Sequence, residues 1–297
     1  MAKFAALMCL CLVALTGCGN THSPGPSSSA PSTSTAPSSQ PLPKVAGRTV
    51  LPITEVTNPT GLAVDAAGNV YVGDYDSKRV IQFSPSSNTQ RALPFTDVDN
   101  INGLAVDTAG AVYLVDNINP DRVKKLSAGS SAQEVLPFPS ISNPAGVAVA
   151  SDDTVYLTGY TNNQVLALRE GATSPELLPI SGIDAPVGVA VDSRGTVYAA
   201  SAHQNRVLKL ELGKTAPSEL PFTGLNNPYG VAVGPNDDVY VADTENKRVL
   251  RLPAGSSTQQ ELKVPDLNRL SWLAVDSAGN IYVTNDQQQV LQLPFGF

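Results

Sequence analysis

Residues 58–72 read Asn-Pro-Thr-Gly-Leu-Ala-Val-Asp-Ala-Ala-Gly-Asn-Val-Tyr-Val, and this stretch decides the fold because the chain repeats it. The repeats align on one position, occupied in turn by Gly61, Gly103, Gly146, Gly188, Gly230 and Trp272. The intervals between these positions are 42, 43, 42, 42 and 42 residues. Regular spacing of this length predicts an array of similar supersecondary units.

Each unit reads as four short strands. The first is followed by a turn such as Asp65–Asn69, in which Gly and Asn supply the positive φ that a tight hairpin needs. A second strand centred on tyrosine, a third that begins at Arg or Gln, and a fourth that ends in Leu-Pro-Phe or a variant then follow. Proline suits an edge strand because it has no N–H for the ladder. Four strands and no helical periodicity predict the blades of an all-β propeller.

The two ends of the repeat region predict how the ring closes. The sixth unit stops after its third strand, Gln289–Leu293, and lacks a fourth. A segment that matches the fourth strand, Thr49–Ile53, stands at the other end of the region. We therefore expect a six-bladed β-propeller in which the N-terminal strand completes the last blade and removes both open sheet edges.

Two side chains recur in every unit and predict architecture more than function. We expect the six second-strand tyrosines to pack between blades and to bond the backbone through their hydroxyls. These tyrosines are Tyr71, Tyr113, Tyr156, Tyr198, Tyr240 and Tyr282. The arginines before the third strand are expected to pair from blade to blade with second-strand aspartates.

The first 17 residues have the character of an export signal. Lys3 precedes an apolar run, Phe4–Leu15, that is too short for a permanent membrane span. Leu15-Thr16-Gly17-Cys18 resembles the lipobox of bacterial lipoproteins, which implies a lipoprotein signal peptide at 1–17 and lipidation of Cys18. The protein is then exported and held by lipid on the outer face of the cell membrane. An ordinary signal peptide with an incidental cysteine is the alternative.

Composition divides the rest of the chain. Residues 18–47 are rich in Ser, Thr and Pro and are expected to form a disordered tether, and residues 48–297 form the propeller. The other two cysteines, Cys9 and Cys11, lie in the segment that is removed. Loss of Lys3 with that segment takes the formal charge from −7 to −8, which disfavours nucleic acid as a partner.

The repeats also resemble a known family. The pattern Asn-Pro-x-Gly-x-Ala-Val-Asp, then Val-Tyr-Val-x-Asp, then Asn-x-Arg-Val is similar to NHL repeats throughout residues 49–297. Segments 220–226 and 253–259 resemble the extracellular sensor propeller of mycobacterial receptor-type serine/threonine protein kinase D. This implies an extracytoplasmic recognition module. The chain shows no Gly-rich ATP loop, so phosphotransfer is not expected.

Candidate binding residues cluster in two sets of loops. In NHL propellers the loops between strands four and one and those between strands two and three share one face, here called the loop face. Its polar candidates are Asn58, Asn100, Asn143, Asn227, Asn268, Asp74, Asp76, Asp97, Asp99, Asp116, Asp243, Glu245 and Asp286. Its ring-bearing candidates are Tyr75, Tyr160, His203, Tyr229 and Trp272. Amides with aromatic anchors suit a polar partner, although Asn and Asp also occupy turns for local reasons. Trp272 either plugs the channel or lines a ligand pocket.

Two functions fit these residues. The preferred interpretation is a monomeric binding or sensor module that recognises an envelope protein or a cell-wall glycan through the loop face, without a cofactor. The alternative is a metal-assisted lyase or lactonase at the channel mouth, with carboxylate-bound Ca²⁺ as the metal. The propeller has one histidine, His203, and one histidine cannot form a three-histidine zinc site. A scaffold for a larger envelope assembly is a third interpretation.

Overall fold

The computed structural model describes residues 47–117, 120–139, 141–262, 267 and 269–293. Within these residues all regular secondary structure is β-strand, arranged as six antiparallel four-stranded sheets. No helix long and apolar enough to span a membrane occurs in this part of the chain. The predicted signal peptide, Cys18, the tether up to residue 46 and Asn268 lie outside the described residues.

The sheets are the six blades, numbered in chain order. Blade 1 contains β2 (Pro59–Val64), β3 (Val70–Asp74), β4 (Arg79–Ser84) and β5 (Thr89–Ala92). Blade 2 contains β6 (Ile101–Val106), β7 (Val112–Asp116), β8 (Arg122–Leu126) and β9 (Gln133–Val135). Blade 3 contains β10 (Pro144–Val149), β11 (Val155–Gly159), β12 (Gln164–Leu168) and β13 (Glu176–Leu177).

The second half of the ring repeats this order. Blade 4 contains β14 (Pro186–Val191), β15 (Val197–Ser201), β16 (Arg206–Leu210) and β17 (Ser218–Glu219). Blade 5 contains β18 (Pro228–Val233), β19 (Val239–Asp243), β20 (Arg248–Leu252) and β21 (Gln260–Leu262). Blade 6 contains β22 (Leu270–Val275), β23 (Ile281–Asn285), β24 (Val290–Leu293) and β1 (Thr49–Val50).

The ring closes as the sequence predicts. The inner strands of successive blades contact one another, and β22 of blade 6 contacts β2 of blade 1. The N-terminal strand β1 pairs with β24, so that Thr49 lies opposite Gln292 and Val50 opposite Leu291. The Leu51 N–H extends this pairing by donating to the Val290 carbonyl at 2.9 Å. The six-bladed all-β propeller closed by the N-terminal strand is confirmed.

The Leu-Pro-Phe segments form turns after the fourth strands, not the ends of those strands. The Phe95 N–H donates to the Leu93 carbonyl at 2.9 Å, and the N–H groups of Phe138 and Phe222 donate to the carbonyl two residues before them at 2.8 Å. The proline between each pair has no N–H to continue the ladder, so the chain turns there. For this reason β1 ends at Val50, short of the predicted Ile53.

Glycine at the repeat position lets neighbouring inner strands approach closely. A Cβ on Gly146 would lie 2.3 Å from the Val187 carbonyl oxygen, and one on Gly103 would lie 2.4 Å from the Ala145 oxygen. A Cβ on Gly188 would meet the Tyr229 carbonyl oxygen at 2.5 Å. The atoms in the way are backbone atoms, which cannot rotate aside. Close packing of neighbouring blades therefore requires glycine at these positions of the repeat.

Replacing Gly146 by alanine is expected to lower the free energy of unfolding by about 1–3 kcal/mol, because the added methyl overpacks the contact between blades 3 and 4. Urea denaturation followed by circular dichroism measures the change. Gly230→Ala is the matched control, since its Cβ would have 2.9 Å to its nearest neighbours and should cost less. A loss for Gly146→Ala no larger than that for Gly230→Ala would contradict this account.

Four of the six repeated tyrosines bond carboxylates, so the predicted backbone partner is wrong for these four. The Tyr71 hydroxyl donates to Asp65 Oδ2 at 2.9 Å, and Tyr198 donates to Asp192 Oδ2 at 3.1 Å. The other oxygen of Asp65 accepts the Asn69 N–H at 2.8 Å and holds the hairpin turn. Burial and the nearby Asp192 raise the pKa of Tyr198 to about 12, which keeps the donor proton in place. Tyr113 and Tyr282 make the same bond to Asp107 and Asp276.

Candidate functional site

The two sets of loops that make up the loop face are bonded to each other. The Tyr75 N–H donates to the Asn58 carbonyl at 3.0 Å, and the Tyr160 N–H donates to the Asn143 carbonyl at 3.1 Å. Each bond joins the loop after a second strand to the loop before the first strand of the same blade. The structure therefore places the predicted candidates on one face, with their backbone held by the blades.

Asp74 and Asp243 lie beneath this face and do not point out of it. Both residues are fully buried. Asp74 Oδ1 accepts the N–H groups of Thr57 at 3.0 Å and Asn58 at 2.6 Å. Asp243 Oδ1 accepts the Asn226 N–H at 2.7 Å. Their carboxylates fix the loops before the first strands, and this corrects the expectation that they contact a ligand.

The arginine that follows Asp243 completes this anchor from inside the same blade. Arg248 Nε donates to Asp243 Oδ2 at 2.7 Å, and its Nη2 donates to the Gly224 carbonyl at 2.9 Å. Both partners are in blade 5 or in the loop that leads into it, so the expected pairing from blade to blade is wrong here. Asn227 is half-buried, has a positive φ of 53°, and donates its N–H to Asn205 Oδ1 at 2.7 Å. It shapes the loop before β18.

A buried lysine that the sequence reasoning missed holds the loop before β6. Lys124 is fully buried, and its Nζ donates to Asp116 Oδ2 at 2.9 Å. The same nitrogen donates to the carbonyl oxygens of Thr96 at 2.9 Å and Asp97 at 2.6 Å. A signal was visible, because the other five blades place Ile81, Leu166, Leu208, Leu250 and Leu291 at this position of the third strand.

Trp272 is buried among apolar side chains that come from several blades. It is 8 % exposed and belongs to an apolar cluster that also contains Ala145, Val187 and Ala202 from blades 3 and 4. The ring of Tyr229 packs against it edge to face, with centroids 5.4 Å apart and planes at 85°. The indole therefore exposes only a small part of its surface, whether it plugs the channel or lines a pocket. Tyr229 packs against the indole and is half-buried.

Two further rings stand beside this pair. The Tyr160 hydroxyl lies 3.0 Å from His203 Nε2, and the two rings meet edge to face at 5.7 Å. His203 Nδ1 lies 3.6 Å from Asp184 Oδ2 on the other side. Tyr160 packs on the same apolar cluster as Trp272 and Tyr229. We call Tyr160, His203, Tyr229 and Trp272 the aromatic mouth; they come from blades 3, 4, 5 and 6.

Tyr160 and Arg269 both lie close enough to Tyr229 to affect the pKa of its hydroxyl. Burial raises the pKa of the Tyr229 hydroxyl, Tyr160 adds to the rise, and Arg269 opposes it. Arg269 Nη2 in turn lies 3.2 Å from Glu245 Oε1, at the rim of the loop face. The hydroxyl therefore stays protonated at neutral pH and acts as a neutral hydrogen-bonding group.

Tyr75 lies outside this group. Its side chain is in blade 1 and the residue is 44 % exposed, whereas Trp272 is 8 % exposed. The sequence analysis groups Tyr75 with Tyr160, Tyr229 and Trp272 as aromatic candidates for ligand binding. In the structure it is a separate, projecting aromatic residue on the loop face.

Other features of the described residues lie away from the aromatic mouth. A cleft of about 640 Å³ separates blades 4 and 5 near the opposite face and is bounded by Arg194, Leu212 and Asp237. Arg194 Nη2 lies 3.6 Å from Asp237 Oδ2, so the two sides of this cleft are bridged by their own charges. No group of three or more His, Cys, Asp or Glu side chains within the described ranges is placed to hold a metal ion.

Comparison with known proteins agrees with the repeat architecture. The family model of the NHL repeat matches residues 57–83 and 225–252, which contain parts of blades 1 and 5. The chain is therefore a six-bladed β-propeller with NHL repeats. No curated protein sequence matches it significantly.

Several solved structures share the fold at low sequence identity. A gluconolactonase of Xanthomonas campestris superposes with a TM-score of 0.68 at 15 % identity, covering 86 % of this chain and 95 % of that one. A catalytically inactive virginiamycin B lyase of Staphylococcus aureus gives 0.63 at 14 % identity, covering 82 % of each chain. A chain of the nidogen/laminin complex gives 0.63 at 19 % identity, covering 73 % and 84 %. At these identities the likeness shows the fold alone.

Proposed function

We propose that this protein is an extracytoplasmic binding module, anchored by lipid at Cys18, whose aromatic mouth recognises a component of the cell envelope. The observation that carries the proposal is the convergence of Tyr160, His203, Tyr229 and Trp272 from four consecutive blades. Packing of the blades brings these residues together, since at least 26 residues separate any two of them in the sequence.

The chemistry of the aromatic mouth suits recognition. Tyr and Trp supply large contact area with few rotatable bonds, and they dominate the energetics of many binding sites. Here their rings rest on a buried apolar cluster, which limits the entropy lost when a ligand is bound. Neutral polar groups surround the rings and would orient the partner.

The N-terminal sequence and the charge support where the module would act. The lipobox-like segment that ends at Cys18, followed by the Ser/Thr/Pro-rich stretch, supports a tethered position outside the cytoplasm. The resemblance to the sensor propeller of mycobacterial kinase D supports the same location. The acidic net charge of −7 supports partners other than nucleic acid. The module acts as a monomer and needs no cofactor.

Replacing Tyr160 and Tyr229 together by alanine is expected to reduce capture of the envelope partner at least about tenfold, because the two anchoring rings are lost. The measurement uses the full chain, purified in detergent with a C-terminal tag, as bait for solubilised envelope from the same organism. Retained material is quantified against washed blank resin.

Tyr75→Ala is the matched control, since it removes an exposed ring from the same face outside the aromatic mouth. Its capture should equal that of the unaltered chain. Equal capture by all three baits, with equal stability in urea, would place recognition elsewhere on the protein and overturn the proposal.

A second candidate function rests on the array of Asp184, His203 and Tyr160. An imidazole nitrogen 3.0 Å from a tyrosine hydroxyl, with a carboxylate 3.6 Å from its other nitrogen, is suited to general acid–base catalysis in a lyase or a lactonase. If this function operates, aliphatic lactones or cyclic depsipeptides are turned over, and His203→Gln reduces the rate at least about a hundredfold. Turnover that His203→Gln leaves unchanged would exclude this array as the catalyst.

A further inference from the structure

We infer that the ligand of the aromatic mouth is an uncharged saccharide chain. The inference rests on the proposed function, because it uses the same site and specifies the class of partner. Three properties of the site carry it: the charge around the rings, the depth of the rings, and the polar groups at their edge.

The charges described beside the aromatic mouth are paired or acidic. Arg269 lies 3.2 Å from Glu245, and His203 lies 3.6 Å from Asp184. Asp286 is exposed on the neighbouring loop, where its N–H donates to the Arg269 carbonyl at 3.1 Å. The nearby guanidinium is thus engaged by a carboxylate, and Asp184 and Asp286 add negative charge to the same face. Such a site favours a neutral ligand over phosphates and uronic acids.

The rings are recessed. Trp272 is 8 % exposed, Tyr160 and Tyr229 are half-buried, and all three share one apolar cluster. A narrow chain can contact such partly buried rings more closely than a flat protein surface can. Polarised C–H groups on the face of a sugar ring then pack against the electron-rich faces of the aromatic rings.

The polar groups at the edge match hydroxyls. The Tyr160 hydroxyl contacts His203 Nε2, and its oxygen carries lone pairs that can accept further hydrogen bonds. These two groups already contact each other at 3.0 Å and are therefore held in place before a ligand arrives. Asp184 supplies an acceptor next to them. A polyhydroxylated ring can donate hydroxyl protons to the Tyr160 oxygen and to the Asp184 carboxylate.

The experiment pretreats solubilised envelope in three separate ways before it is offered to the full-chain bait in detergent. One portion is digested with protease, the second is oxidised with periodate, which cleaves the vicinal diols of sugars, and the third is kept in about 1 M NaCl, which screens ionic contacts. The protease and the periodate are quenched before the bait is added, whereas the salt is kept during capture. The Tyr160→Ala/Tyr229→Ala and Tyr75→Ala baits are run beside the unaltered chain.

We expect capture to fall at least about tenfold after periodate and to be unchanged after protease and in high salt. Loss of capture after protease treatment, or capture that is unchanged by all three treatments, would overturn the assignment of the ligand as a saccharide. Loss in high salt together with periodate sensitivity would identify a charged glycan and overturn its neutrality. In each of these outcomes the dependence on Tyr160 and Tyr229 would leave the binding function standing. Capture that ignores both tyrosines would instead remove the binding function itself.

Discussion

Replacing Lys124 by methionine is expected to lower the free energy of unfolding by about 3–5 kcal/mol, the cost typical of removing one partner of a buried ion pair. Lys124 and Asp116 are both fully buried, and methionine leaves the Asp116 carboxylate without its cation. The carbonyl oxygens of Thr96 and Asp97 lose their donor as well. Urea or guanidinium denaturation followed by tryptophan fluorescence and circular dichroism measures the loss.

Lys209→Met is the matched control for this change. Lys209 occupies the next position along the third strand of blade 4, where its side chain is 31 % exposed and pairs with Glu211 at 2.9 Å. Exposed pairs contribute little, so the control should cost less than about 1 kcal/mol. Adding Asp116→Asn to Lys124→Met should recover part of the loss, because no unpaired charge then stays buried. If Lys124→Met and Lys209→Met cost the same, the anchoring role of Lys124 is wrong.

Replacing Leu51 by alanine is expected to cost about 2–5 kcal/mol of stability, because it opens a cavity where the N-terminal strand closes the ring. Leu51 is 6 % exposed and belongs to the same apolar cluster as Trp272. Its N–H donates to the Val290 carbonyl at 2.9 Å, next to the two paired residues of β1. Loss of the side-chain packing should also loosen this strand and expose the outer edge of blade 6 to protease, which limited proteolysis detects.

Val50→Ala provides the comparison one residue away. Val50 is 47 % exposed, and its backbone pairing does not depend on the side chain. The substitution should therefore change stability by no more than about 0.5 kcal/mol. Equal effects at Val50 and Leu51 would show that side-chain burial at this strand does not hold the ring together.

Much of the fold could be predicted because its signals are local. The repeat spacing, the Gly-Asn turns and the match between Thr49–Ile53 and the missing sixth fourth strand together predict a closed ring of six. The predictions that were wrong concern hydrogen-bond partners, which depend on which atoms the fold brings close to a donor. The Tyr71 hydroxyl bonds Asp65 and not the backbone, although the six-residue spacing of that pair recurs in four blades and could have revealed it.

The candidate site was harder to predict for a physical reason. An aspartate that ends a second strand looks the same in sequence whether it faces solvent or accepts loop N–H groups, and Asp74 and Asp243 do the latter. Tyr75 and Tyr160 follow second strands in the same way, yet only Tyr160 packs on the apolar cluster under Trp272. Burial depends on neighbours from other blades, which local patterns do not contain.

The sequence by itself determined the blade, the number of blades and the closing strand, because hydrogen bonding within a blade joins residues that are close in the chain and repeats with the sequence. Only the tertiary structure decided that Trp272 and Lys124 are buried and that rings from four blades lie near one another. The ring contacts join residues 43 positions apart, Tyr160 with His203 and Tyr229 with Trp272. They exist only once neighbouring blades have packed against each other, and local sequence patterns do not contain that packing.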